Sequence, residues 1–266
     1  MKWLLPMILF SCPLWARPVV LVSYYDAFGR AAFNNSERVA KRLEAKINNG
    51  TGPYSISLCA LPTVFDRSYA ALEDCLKAMP EAPVMVLGLG ESNCNFKIET
   101  IMRNMDTTKA ADNAGNERKN QVIIPEAPAA IGLKYPISQM YCALDSKVRN
   151  EMEISNNAGT FVCNNTAFQM SYHYENIQFG FVHVPANHCR NLEQKSISAV
   201  ESLDTMLKTA VEVLKNDYGV RRLLTTKKEI EVLRYGSETK DKCPQEFYKR
   251  TKGVDERGIW DIFKAD

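Results

Sequence analysis

Pro18-Val19-Val20-Leu21-Val22-Ser23, followed after a short gap by Ser36 to Ile47, decides the architecture. The first stretch is an apolar run bounded by turn residues, fit for a strand buried on both faces. The second places Val39, Leu43 and Ile47 on one stripe of an amphipathic helix, with Ser36 as a candidate N-cap. The alternation then repeats. Tyr54 to Cys59 reads as a strand, Ser68 to Met79 as a helix, and Val84 to Leu87 as a buried strand ending in Gly88-Leu89-Gly90. Ile98 to Met105 is ambiguous, and the Asn- and Gly-rich stretch from Ala111 to Asn120 is a loop. Pro136 to Glu151 looks helical. Gly159-Thr160-Phe161-Val162 leads into a helix through about Tyr172. Gln178 to Val184 alternates as a strand until Pro185 stops it, and Ser196 to Asp217 is the clearest amphipathic helix. Strands alternating with helices define an α/β sandwich with a mostly parallel central sheet.

The chain has 266 residues, 45% hydrophobic and 24% charged, which fits one large domain with an appendage and excludes disordered, collagenous and coiled-coil classes. A net charge of +2 gives no reason to expect nucleic acid or an anionic membrane as partner. No internal run approaches the ~20 apolar residues of a membrane span. Residues 1–16 differ from the rest: Lys2, an apolar stretch from Trp3 to Phe10, and Ala16 read as a secretory signal cleaved after Ala16. The expected location is therefore secreted or periplasmic. The domain then covers residues 17–218, and residues 219–266, rich in both bases and acids, form a C-terminal extension packed on or near it.

Candidate chemistry gathers late in the chain. Of three histidines, only His183 falls at the end of an expected strand, where open α/β sheets bind ligands. Cys163 opens a helix, whose unpaired N–H groups favour a thiolate. A thiol at a helix start and an imidazole at a strand end make a plausible nucleophile–base pair, although a core Cys and a core His would look the same. No CxxC or His-Glu-x-x-His pattern offers a metal site, and the Gly88-Leu89-Gly90 segment lacks the remainder of a dinucleotide or P-loop fingerprint. No cofactor or metal is expected.

The strings around these residues carry more. Ser155-Asn156-Asn157-Ala158-Gly159-Thr160-Phe161-Val162-Cys163-Asn164 resembles the nucleophile motif of the pyroglutamyl peptidase I family, and Gly180-Phe181-Val182-His183-Val184-Pro185 resembles its histidine motif. Ile98-Glu99-Thr100 through Asn104, then Asp112-Asn113-Ala114-Gly115-Asn116, resembles the segment bearing its catalytic acid. Tyr24-Tyr25-Asp26-Ala27-Phe28-Gly29 with Asn34 and Ser36 looks like a worn form of its N-terminal Gly-Phe-x-Pro-Phe-Gly-Gly…Asn-Pro-Ser motif.

The resemblance implies a three-layer α/β/α domain and a cysteine exopeptidase that removes N-terminal pyroglutamate. It implies Cys163 as nucleophile, His183 as general base and then acid, and Glu99 as the group orienting His183. It places Tyr25, Phe28, Asn34, Phe161 and Val162 around the lactam. It implies a peptide with a blocked N-terminus as partner, and a homo-oligomer, since many members form dimers or tetramers.

The chain departs from the pattern at Glu91-Ser92-Asn93, where Gly-Gly-Arg is frequent, at Ala27 and Arg30, and at Asn165. These changes keep two rivals open: a thiol amidase of different N-terminal specificity, and an inactive peptide-binding member of the fold.

Eight cysteines are present, at 12, 59, 75, 94, 142, 163, 189 and 243. Removing Cys12 with the signal and reserving Cys163 leaves six, enough for three bridges in an oxidising compartment. Chain order favours Cys59–Cys75, Cys94–Cys142 and Cys189–Cys243.

Overall fold

The computed structural model describes residues 17–221 and Cys243. The proposed signal and nearly all of the C-terminal extension lie outside these residues. Strand β1 (Val19–Tyr25) is buried along almost its whole length, as its continuous apolar run requires. It pairs in parallel with β2 (Ser55–Leu61) on one side and β3 (Met85–Glu91) on the other. β3 pairs in parallel with β8 (Phe179–Val184), and β8 pairs antiparallel with β4 (Phe96–Glu99). β7 (Met152–Ser155) closes the sheet, giving the order β2-β1-β3-β8-β4-β7. Within this sheet, among the described residues, only the β4–β8 pairing is antiparallel. β5 (Ile101–Arg103) and β6 (Ala130–Gly132) form a separate two-stranded sheet.

Helices cover both faces. α1 (Asn35–Asn48), α3 (Ile137–Cys142) and the long α6 (Leu192–Arg221) pack on one. α2 (Arg67–Ala78) and α5 (Val162–His173) pack on the other. The α1 stripe of Val39, Leu43 and Ile47 is buried as its spacing requires. This is the expected α/β/α sandwich. Among the described residues no helix is long and apolar enough to cross a membrane.

Two local expectations are corrected, and the ambiguous stretch is resolved. The N-cap of α1 is Asn34, whose side chain accepts from Ser36 N at 3.0 Å, and Ser36 instead accepts from Tyr25 N. Residues 136–151 break into α3 and α4 (Ser146–Glu151), because Asp145 caps a new helix through Val148 N. The ambiguous stretch 98–105 supplies the end of β4 and all of β5.

Of the expected bridges, Cys59–Cys75 is present, but the other two pairings are Cys94–Cys189 and Cys142–Cys243. The reason is topological. β3 and β8 are adjacent parallel strands, so the loops leaving their carboxyl ends, bearing Cys94 and Cys189, meet. Chain order alone hides that adjacency. Cys142 ends α3 on the α6 side of the sheet, where it bonds the buried Cys243. Cys163 is the one free cysteine among the described residues.

Candidate active site

The carboxyl ends of three neighbouring parallel strands, β1, β3 and β8, bring Tyr25, Gly90 and His183 to one edge of the sheet. β4 enters antiparallel beside β8 with Glu99 opposite Phe181 and Lys97 opposite His183. Glu99 and His183 are therefore diagonal neighbours across an antiparallel pair, within reach of long side chains. His183 Nδ1 lies 2.8 Å from Glu99 Oε1. A carboxylate only accepts, so Nδ1 donates and Nε2 is left for the other side of the ring. There the imidazole faces the Cys163 thiol: His183 Cδ2 and Cys163 Sγ meet in front of Gly90.

Glu99 is fully buried, and its Oε2 has no partner. Its backbone carbonyl accepts from Tyr135 Oη at 2.8 Å, which fixes the end of β4. Burial alone would push the His183 pKa down. The hydrogen bonds and charges of Cys163 and Glu99 outweigh it and lift the pKa to about 9. At neutral pH this favours an imidazolium facing the sulfur.

Cys163 sits in the first turn of α5, after a tight entry in which Gly159 adopts φ 80°, a left-handed conformation that favours glycine. The residues beside it anchor the helix. Asn164 hydrogen-bonds the end of β5 through Arg103 N and Arg103 O and the following segment through Met105 O, and Asn165 donates to Asp106 Oδ2 at 2.7 Å. Asn164 and Asn34, the acceptor asparagines of two of the three Asn-x-Ser/Thr sequons, are both buried in such contacts, which leaves no room for a glycan at either position on the folded chain.

Gly90 makes the thiol–imidazole contact fit. A β-carbon there would lie 2.9 Å from His183 Cδ2, 2.9 Å from Phe181 Cζ and 3.0 Å from Cys163 Sγ. The glycines that fail as a nucleotide loop thus serve close packing. Gly90→Ala is expected to displace the His183 ring and lower kcat/KM by about 10²-fold, the usual result of a ~1 Å misplacement. Wild-type kcat/KM in a folded Gly90→Ala chain would show that the space is not needed.

Phe161 stands at the head of α5 between Phe28, 5.1 Å away edge-on, and Phe65, 5.3 Å away edge-on. Phe28 is 37% exposed, so this aromatic wall opens to solvent. Tyr25 is buried beside Cys163. Burial first, and then the charge of Cys163, hold its pKa well above the ordinary value. Val162 is fully buried in the core beneath the wall. The Asn34 side chain is engaged with Ser36 and with Asp26 O, so it holds the turn that carries Phe28.

Phe65 was not expected from the sequence. It lies in the short loop between β2 and α2, and no periodicity marks it. The rim substitution Glu91 accepts from the backbone N–H groups of Asn35 (2.8 Å) and Asn187. It is a brace between α1 and the loop after β8. The one described cluster with metal-ligand chemistry, Cys94, His188 and Cys189 with ligand atoms within 4.8 Å, has both sulfurs joined in a disulfide.

A buried carboxylate, an imidazole and a free thiol in sequence, at the carboxyl edge of an α/β sheet, define a cysteine hydrolase by class. The family comparison agrees: the pyroglutamyl peptidase profile matches residues 19–217, and the chain belongs to that family of cysteine peptidases. It is 27% identical to a pyrrolidone-carboxylate peptidase of Bacillus cereus over 83% of this chain and 98% of that one. It is 30% identical to one of Thermosipho melanesiensis over 70% of this chain and 91% of that one. The solved pyroglutamyl peptidase I of Bacillus amyloliquefaciens superposes with a TM-score of 0.63 at 26% identity, covering 73% of this chain and 97% of that chain.

Proposed function

We propose that the protein is an exported cysteine exopeptidase that removes N-terminal pyroglutamate from peptides through Cys163, His183 and Glu99. The observation that carries this reading is the line of contacts from Glu99 through His183 to Cys163, beside an open aromatic wall suited to a flat lactam. The thiolate of Cys163 attacks the pyroglutamyl carbonyl. The resulting oxyanion is met by N–H groups at the head of α5, with that of Cys163 itself the nearest candidate. The His183 imidazolium gives its proton to the departing amine, leaving a thioester. His183 then takes a proton from water, which adds to the thioester and releases pyroglutamate and the thiol. Glu99 holds the ring and balances its charge.

Phe28 and Phe161, already in edge-on contact, offer one apolar wall to a face of the ring, with Tyr25 and Val162 below and Asn34 behind the Phe28 turn. The engagement of Glu91 by backbone N–H groups supports this specificity over the amidase alternative, since its charge is not offered to a substrate. Three disulfides and two buried sequons support export to an oxidising, non-glycosylating compartment. A homo-oligomer is part of the same proposal.

Amine release from fluorogenic pyroglutamyl and prolyl substrates tests the reading. Turnover of the first with strong rejection of the second is expected, because a site built for the lactam carbonyl leaves polar groups unpaired around the analogue. Equal turnover would favour the amidase alternative. The pH profile adds a second check. The folded pKa of His183 is raised, so the imidazolium persists below it, and kcat/KM is expected to fall as pH rises through about 9. The same shift stabilises the fold fully below about 6.5 and is lost as pH rises through about 9.

A further inference from the structure

Residues 106–121, which include the polar loop read at 111–120, contact Phe65 directly and hold the chain neighbours of Phe161 and Phe28. Phe161 is held through its neighbour: Thr160 Oγ1 donates to Thr107 O at 2.6 Å, and Thr107 N donates to Thr160 O at 3.0 Å. Phe28 is held through its turn: Gly29 N donates to Asn113 Oδ1 at 2.9 Å, and Asn113 Nδ2 donates to Ala27 O at 2.8 Å. Phe65 is held twice. Its N–H donates to Asp112 Oδ2 at 3.0 Å, and the Arg118 guanidinium lies 4.4 Å over its ring.

Arg118 is itself locked. It donates to Asp106 Oδ2 at 2.6 Å and pairs with Asp66, while Asn165, two residues after Cys163, donates to the same Asp106 oxygen. Asp106 is fully buried. A buried carboxylate paired on one side with a stacked guanidinium and on the other with the nucleophile helix is costly to place, and its cost is offset only by this specific geometry. Nothing in the bond-breaking steps uses Asp106, Arg118 or Asn113.

We propose that residues 106–121 are the frame that sets ring specificity, with the Asp106–Arg118 pair as its fixed point and Arg118 and Asn113 as positioning residues for Phe65 and Phe28. The proposal rests on the lactam reading above and assigns that site its specificity determinant. Removing Arg118 frees Phe65, and through it Phe161. Removing the Asn113 side chain frees the Phe28 turn. Either change should weaken capture of the ring while leaving thiol and imidazole in place.

The test uses the full oxidised chain and 2-pyrrolidone, a bare lactam, as probe. Iodoacetamide alkylation of Cys163 is followed with and without 2-pyrrolidone, beside KM and kcat for a pyroglutamyl substrate. In the unmutated chain the lactam should slow alkylation. In Arg118→Met and in Asn113→Ala, about tenfold more lactam should be needed for half-protection, with the unprotected alkylation rate within about twofold of wild type. The loss of kcat/KM should fall on KM. Asn113→Ala leaves the buried ion pair intact, so it keeps the test decisive if Arg118→Met fails to fold. Wild-type protection in a folded variant would overturn the frame alone, as would loss of the unprotected alkylation rate. Absence of both protection and turnover in the unmutated chain would overturn the lactam reading and the frame together.

Discussion

Cys163→Ala is expected to abolish release of amine from a pyroglutamyl substrate. Deleting the nucleophile of a coupled catalytic set has cost about 10⁶-fold in kcat elsewhere, because the remaining groups act only through it. The substitution breaks no bridge, since Cys59, Cys75, Cys94, Cys142, Cys189 and Cys243 are paired among themselves. The fold should therefore survive, with unchanged circular dichroism. Iodoacetamide should modify one cysteine in the oxidised chain that begins at Arg17, and none in the variant. Measurable turnover by purified Cys163→Ala would remove Cys163 from the mechanism.

His183→Ala is expected to cost about 10²–10⁴-fold in kcat, the usual worth of general acid–base help. The loss should exceed that of Glu99→Gln, which keeps a hydrogen-bond acceptor near Nδ1 but removes the charge. Glu99 is one of the groups that lift the His183 pKa to about 9. Without its charge, the alkaline limb of the pH–rate profile should move to lower pH. That movement separates an electrostatic role from simple support of β4, which would lower the rate without shifting the limb. Unchanged rates in both variants would make the pair structural.

The parts of the fold legible in the sequence are those with one strong local pattern. β1 and β3 announce themselves as apolar runs, β8 as an alternating segment, and α1 and α6 as stripes. What escapes is decided between distant segments. β4 and β7 are four residues each, too short for a period to register, and they exist because Phe96–Glu99 can pair with both β8 and Met152–Ser155. The disulfides follow strand adjacency, which no spacing records.

The candidate site divides the same way. Cys163, His183 and Glu99 stood out through a helix start, a strand end and the family motifs, and the structure brings all three together. Phe65, Gly90 and Arg118 carry no local mark. Phe65 looks like any loop aromatic, Gly90 like a failed nucleotide loop, and Arg118 like one more solvated base. Their roles arise only when β2, β3 and the 106–121 segment meet.

Two of the bridges have a consequence for the chain when it is not folded. Cys94–Cys189 and Cys142–Cys243 span 95 and 101 residues, and the two spans overlap, because Cys142 lies inside the first and Cys189 inside the second. Heat alone therefore releases not a free polymer but two fused rings that share residues 142–189. In the chain-entropy account, closing a ring of about 100 residues withholds about 4.7 kcal/mol of disorder from the melted state. Reductant and heat should thus act as partners. A scan with dithiothreitol should melt well below one without it, and a single backbone cut between residues 222 and 242 should leave one covalent molecule until the bridges are reduced.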